Sequence, residues 1–128
     1  MAKIKVLLID DEQDFCFFVK KNLELNGEFE VVCAYNGEEG FALAKEISPD
    51  IILLDILMPG MDGGDVKAAL NAEPVMAHIP VAFLTAAVDK KDFGSAIMKE
   101  IRNHKFIAKP VSPEELTKVI RQILSEKA

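Results

Sequence analysis

The chain has 128 residues, half of them apolar, with 21 acidic side chains against 15 basic ones. That size supports one hydrophobic core comfortably and two only marginally, so a single domain over residues 1–128 is expected. The formal charge of −6 argues against direct nucleic-acid binding, which rests on clustered Lys and Arg. No apolar stretch approaches membrane length, and Met1-Ala2-Lys3 leads straight into a strand-like run without a signal-peptide core, which predicts a cytoplasmic protein. Cys16 and Cys33 are too far apart in the sequence for a disulfide framework or a metal motif, and read as two buried thiols in a reducing compartment.

Residues 3–9 read as a buried strand, followed by the acidic loop Asp10-Asp11-Glu12-Gln13-Asp14 and a helix. The helix carries Phe15, Phe18, Val19 and Leu23 at three- and four-residue steps, and Asn26-Gly27 stops it. Asn22 interrupts the stripe and Phe17 falls off it. Residues 29–34 are β-branched enough for a second strand, and residues 38–47, with Phe41, Leu43 and Ala44 at helical spacing, form a second helix. Ser48-Pro49 ends that helix. Residues 50–54 are a near-continuous apolar strand of the kind covered on both faces, and the natural sheet centre.

Met58-Pro59-Gly60-Met61-Asp62-Gly63 is a breaker-rich shaped loop before a short helix at about residues 64–71. A fourth strand is expected over residues 79–84, a polar helix over roughly 90–102 and a fifth strand over 105–108. Ser112-Pro113-Glu114-Glu115 is a capping box with proline at the first helical position, opening a last helix with Leu116, Val119, Ile120, Ile123 and Leu124 on one face. Five βα repeats imply an α/β three-layer sandwich around a doubly wound five-stranded parallel sheet, most naturally ordered 2-1-3-4-5. Asp10-Asp11-Glu12 stands where a glycine-rich phosphate loop would begin, which disfavours dinucleotide binding.

The strands end on Asp10-Asp11, Asp55, Thr85 and Lys109, and ligands of open α/β sheets bind beyond that carboxyl edge. Three like charges together raise their pKa values unless a cation compensates, and a hard divalent ion such as Mg2+ suits a few carboxylates with retained waters. Asp55 can attack phosphorus to give an aspartyl phosphate; Lys109 would balance the phosphoryl charge and Thr85 would donate a hydroxyl to it. The plainer alternative is that acidic loop residues merely cap the next helix, as Asp14 would.

With Leu-Leu-Ile-Asp10-Asp11, Leu-Leu-Asp55-Ile-Leu-Met-Pro59-Gly-Met-Asp-Gly63, Phe-Leu-Thr85-Ala and Ala-Lys109-Pro110 in place, the chain resembles the receiver domains of two-component response regulators over essentially its whole length. The resemblance implies a flavodoxin-like, CheY-like fold and phosphoryl transfer to Asp55 from the phosphohistidine of a histidine kinase or phosphotransfer protein. It implies Mg2+ held by Asp11, Asp55 and the Leu57 backbone carbonyl, with Asp10 acting through water. It also implies a cis peptide before Pro110, and a switch in which Thr85 and Phe106 rearrange for a downstream partner or output domain. A dimer face of helix 4, strand 5 and helix 5 is a further implication, and the chain stops where a receiver's last helix would finish. The plainer reading of Phe106 is a permanently buried ring.

Leu57 and Ala87 flank the phosphoryl position in this family and cannot hold an attacking water through their side chains, so slow hydrolysis of the phosphorylated form is expected. Phe17, beside the pocket on the first helix, is weighed between a kinase contact and no role. His78 and His104 read as ordinary surface or loop residues, and Met58 and Met61 as loop packing. Two other functions compete. A haloacid dehalogenase-type phosphohydrolase needs a second acid where Leu57 stands, and an interaction module that is never phosphorylated has no use for the acidic pair, Thr85 and Lys109.

Overall fold

The computed structural model describes residues 2–86 and 96–127. Among the described residues, six strands and four helices follow one another as β1 (Ile4–Ile9), α1 (Gln13–Leu23), β2 (Phe29–Ala34), α2 (Gly37–Ile47), β3 (Ile51–Asp55), α3 (Gly63–Asn71), β4 (Val81–Thr85), β5 (Met98–Ile101), β6 (His104–Ala108) and α4 (Pro113–Lys127). They form one sheet in the order β2-β1-β3-β4-β6-β5. The first five strands in that order pair in parallel and reproduce the expected 2-1-3-4-5 arrangement.

The sheet has six strands rather than five because Met98–Ile101 pairs antiparallel with β6, with Ile101 opposite His104. The polar helix expected over 90–102 is therefore corrected at its end: residues 98–101 are an edge strand, and 87–95 lie outside the described residues. Arg102 and Asn103 form the two-residue turn between them, at φ 51° and 67°. Consecutive left-handed residues match the right-handed twist of a hairpin.

Alternation along the central strands sorts the core into two layers. Val6, Leu8, Ile51, Leu53 and Ile107 face α1 and α4, whereas Leu7, Ile9, Ile52, Leu54 and Phe83 face α2 and α3. Every residue of β3 and β4 is buried, as expected of strands covered on both faces. α1 buries Cys16, Val19 and Leu23, while Phe18 is 49 % exposed. The predicted stripe is thus rotated by about one residue: Cys16 replaces Phe18 in the core.

The helix ends follow their local chemistry. Asn36 caps α2 by accepting from the Glu39 amide at 2.8 Å, and Ser48 ends it in the left-handed region. Asp62 and Asp65 form a reciprocal capping box at α3. The predicted box at α4 is present: the Glu115 amide donates to Ser112 Oγ at 3.1 Å and the Ser112 amide to Glu115 Oε1 at 2.9 Å. Among the described residues, no helix is long and apolar enough to cross a membrane.

Candidate functional site

Parallel register brings the strand ends together. Ile9 pairs with Leu54, Asp55 with Leu84 and Thr85 with Ala108, so the residues ending these strands share one edge. Asp10, Asp55 and Thr85 are buried polar residues at that edge, and Asp11 is exposed. One carboxylate oxygen from each of Asp10, Asp11 and Asp55 lies within 4.8 Å of the others.

Asp10 is fixed from three directions. Its amide donates to the Ala34 carbonyl at 3.0 Å, Oδ1 accepts from the Glu12 amide at 2.9 Å, and Oδ2 accepts from Lys109 Nζ at 2.6 Å. The Glu12 contact is an Asx-type turn, which holds the loop in the shape that leads into α1. Lys109 also donates to Glu12 Oε1 at 3.1 Å, and its ammonium stands 4.5 Å from the Phe15 ring centre. The Lys109 amide donates to the Thr85 carbonyl at 2.9 Å, and the Lys109–Pro110 peptide is cis. Burial opposes the ammonium, but the hydrogen bond and charge of Asp10, helped by Glu12, outweigh it and raise the Lys109 pKa.

Burial and the repulsion of Asp10 push the Asp55 carboxyl up to about 6, against the attraction of Lys109 and a hydrogen bond from the Leu57 amide. A carboxylate so crowded is one that gains from a nearby cation. The donor set of three carboxylates therefore fits a hard divalent ion; Mg2+ is commonly held by one or two carboxylates together with water and phosphate oxygens. The loop after β3 is drawn tight beside Asp55: the Gly63 amide donates to the Ile56 carbonyl at 3.0 Å, and a Cβ on Gly63 would meet the Asp55 carbonyl at 2.5 Å. Only glycine fits there.

Phe106 is partly buried and stacks on Phe83, with ring centres 5.4 Å apart. His104, expected to be an ordinary surface or loop residue, instead lies on β6, with its ring edge-on to Phe83 at 5.9 Å. Phe17 is 67 % exposed and Leu57 63 % exposed, while Ala87 lies outside the described residues. Glu12 and Phe15, which complete the surroundings of Lys109, were visible in the sequence only as an acidic-loop residue and a core-stripe position. Pairing them with a lysine some 95 residues away takes the fold.

A carboxylate cluster beside a partly buried lysine lies at the carboxyl edge of the parallel sheet, where ligands of open α/β sheets bind. The chain belongs to the response regulator receiver domain family, whose model matches residues 6–121. It is 32% identical over 120 residues to the alkaline phosphatase synthesis transcriptional regulatory protein PhoP of Bacillus subtilis, covering 94% of this chain and 48% of that protein. Protein PilH of Pseudomonas aeruginosa is 31% identical over 121 residues, covering 94% of this chain and 98% of that protein. The solved chemotaxis protein CheY4 of Vibrio cholerae superposes with a TM-score of 0.79 at 28% identity, over 95% of this chain and 99% of that one. The chain spans about half the length of several curated relatives it matches. Receiver domains are signalling domains rather than classical enzymes, and they bind Mg2+ at an acidic pocket of the kind seen here.

Proposed function

We propose that this domain is a phosphoacceptor switch in which Asp55 takes a phosphoryl group from the phosphohistidine of a histidine kinase or phosphotransfer protein. The observation that carries the reading is the convergence of Asp10, Asp11 and Asp55 within 4.8 Å, with Lys109 Nζ 2.6 Å from Asp10. An Asp55 carboxylate oxygen attacks phosphorus, a P–O bond forms, the P–N bond to the donor imidazole breaks, and the imidazole nitrogen leaves with a proton from solvent. Asp11, Asp55 and the Leu57 backbone carbonyl would hold Mg2+, with Asp10 acting through water, and the ion would supply charge neutralisation at the phosphoryl oxygens.

The chain's own residues do the rest. Lys109, already charged and paired with Asp10, exchanges part of that pairing for a phosphoryl oxygen. Thr85, at the adjacent strand end, follows with its hydroxyl, and Phe106 on the neighbouring strand changes its packing. The altered surface is read by a downstream partner or an output domain in the cytoplasm. A dimer through the surface around β6 and α4 is one form that readout can take.

Incubation with Mg2+ and acetyl phosphate tests this. One acid-stable, hydroxylamine-labile phosphoryl group on Asp55, absent from Asp55→Asn, is expected. Multiple turnover of the donor would instead mark a hydrolase, and no uptake would mark an inert interaction module. Because Leu57 cannot orient water, the phosphoryl group should outlast a free acyl phosphate. A half-life that shortens little or not at all on denaturation would refute that slow release.

A further inference from the structure

The two cysteines, distant in the sequence, meet in the fold. Cys16 lies on α1 and Cys33 on β2, both in the core layer between the sheet and α1 with α4. The Cys33 thiol donates to the Cys16 carbonyl at 3.7 Å, so the two residues touch across the α1–β2 contact. Cys16 is fully enclosed, whereas Cys33 is partly exposed. The Cys16 thiol also donates to the Asp10 backbone carbonyl at 3.4 Å, inside the protein and directly behind the acidic pocket.

We propose that Cys33 and Cys16 are a peroxide-oxidisable pair that closes to an intrachain disulfide and withdraws the Cys16 hydrogen from the Asp10 carbonyl. Cys33 is the sulfur that reacts first. It is the more accessible of the two, partly exposed where Cys16 is fully enclosed, so peroxide reaches it first. The Cys33 thiolate attacks one oxygen of hydrogen peroxide and the O–O bond breaks. The hydroxide released takes a proton and leaves as water, and Cys33 becomes a sulfenic acid. The Cys16 sulfur then attacks the Cys33 sulfur; the S–S bond forms, the S–O bond breaks, and the departing hydroxide takes the Cys16 proton as a second water. Two thiols and one peroxide give one disulfide and two waters.

The fold can accommodate the closure. β2 is an edge strand, paired on one side to β1, with Cys33 opposite Leu8 near its end, so the sulfur can approach α1 without breaking a central strand. The consequence falls on the pocket. Cys16 is in the first turn of α1, its amide bonded to the Glu12 carbonyl at 3.1 Å and its thiol donating to the Asp10 carbonyl. Drawing Cys16 toward β2 removes that donor and shifts the turn carrying Asp10 and Glu12, the two partners of Lys109. This effect on phosphoryl acceptance rests on the proposed function, whereas the disulfide itself does not.

The test uses the whole chain, titrated with hydrogen peroxide, blocked with N-ethylmaleimide under denaturing conditions and weighed intact. The expected product has lost two hydrogens, about 2 Da, takes up no maleimide, and yields a cross-linked peptide containing Cys16 and Cys33. Cys33→Ser should abolish it, and Cys16→Ala should leave a Cys33 sulfenic acid that dimedone traps. Two maleimide adducts after peroxide, sulfinic acid without a cross-link, or a bond only between separate chains would each overturn the pair. Acetyl phosphate labelling of the oxidised protein should be slower than that of the reduced protein by about fivefold, the scale of one lost buried hydrogen bond. Equal rates would overturn the link to the pocket. Failure of the reduced protein to accept phosphoryl would sink the proposed function instead, with the mass measurement still deciding the disulfide.

Discussion

Asp55→Asn should make the domain more stable, although it removes the proposed phosphoacceptor. Asp55 is 6 % exposed, and its carboxyl is pushed to about 6 from an ordinary 3.8, first by burial and then by Asp10. The folded chain therefore keeps this proton to higher pH than the unfolded chain does. The group's contribution to stability falls as pH rises from about 4 to about 6, and the penalty is complete above that range. Roughly two pH units at 1.36 kcal/mol each give about 3 kcal/mol as the ceiling of that penalty. Asparagine keeps an acceptor for the Leu57 amide and discards the charge. At about pH 7.5 the variant should gain 2–3 kcal/mol, or roughly 10 °C in Tm for a domain of this size. Urea unfolding of both proteins between about pH 4 and pH 8, with and without Mg2+, measures it. The gain should vanish near pH 4, and Mg2+ should stabilise the native sequence more than the variant. An Asp55→Asn protein no more stable than its parent at neutral pH, with an unchanged pH profile, would refute the reasoning.

Lys109→Met leaves the fully enclosed Asp10 carboxylate without its ammonium, 2.6 Å away in the native site, and should cost about 3–5 kcal/mol in urea unfolding, part of it recovered by Mg2+. Gly63→Ala places a Cβ 2.5 Å from the Asp55 carbonyl and 2.8 Å from the Ile56 Cα, both backbone atoms, so the end of β3 must move. A loss of about 1–3 kcal/mol is expected, with slower labelling by acetyl phosphate. Ser112→Ala opens the capping box at the start of α4 and should cost about 1 kcal/mol in thermal unfolding while leaving labelling unchanged.

The parallel sheet was legible because its signals are strong and redundant. Residues 51–55 and 81–85 are continuous buried runs, each strand ends on a polar residue, and turn chemistry such as Asn36 and Ser112 marks where helices start. The pocket followed from the same pattern, since strand ends of a parallel sheet have nowhere to go but one edge. β5 was not legible. Met98-Lys99-Glu100 are good helix formers, and the turn that makes them a strand rests on Arg102 and Asn103 both adopting positive φ, where Arg102 carries no usual turn signature. The rotation of α1 escaped because hydrophobicity ranks Phe18 above Cys16, while packing against β2 selects the smaller side chain. The cysteine pairing escaped for a related reason: spacing along the chain says nothing of an α1–β2 contact.

β5 also bears on how the molecule behaves in a crowded solution. A sheet edge offers unpaired amides and carbonyls to any passing strand, and long flat apolar edges invite chains to stack. Here the terminal strand is four residues long, exposed from Lys99 to Ile101, with Lys99 and Glu100 adjacent along it. β6 behind it carries Ile107 and Ala108 in the core. By giving up this edge to a short charged ribbon, the sheet presents a poor template for growth on that side, and β6, which leads into Lys109, is kept out of intermolecular pairing.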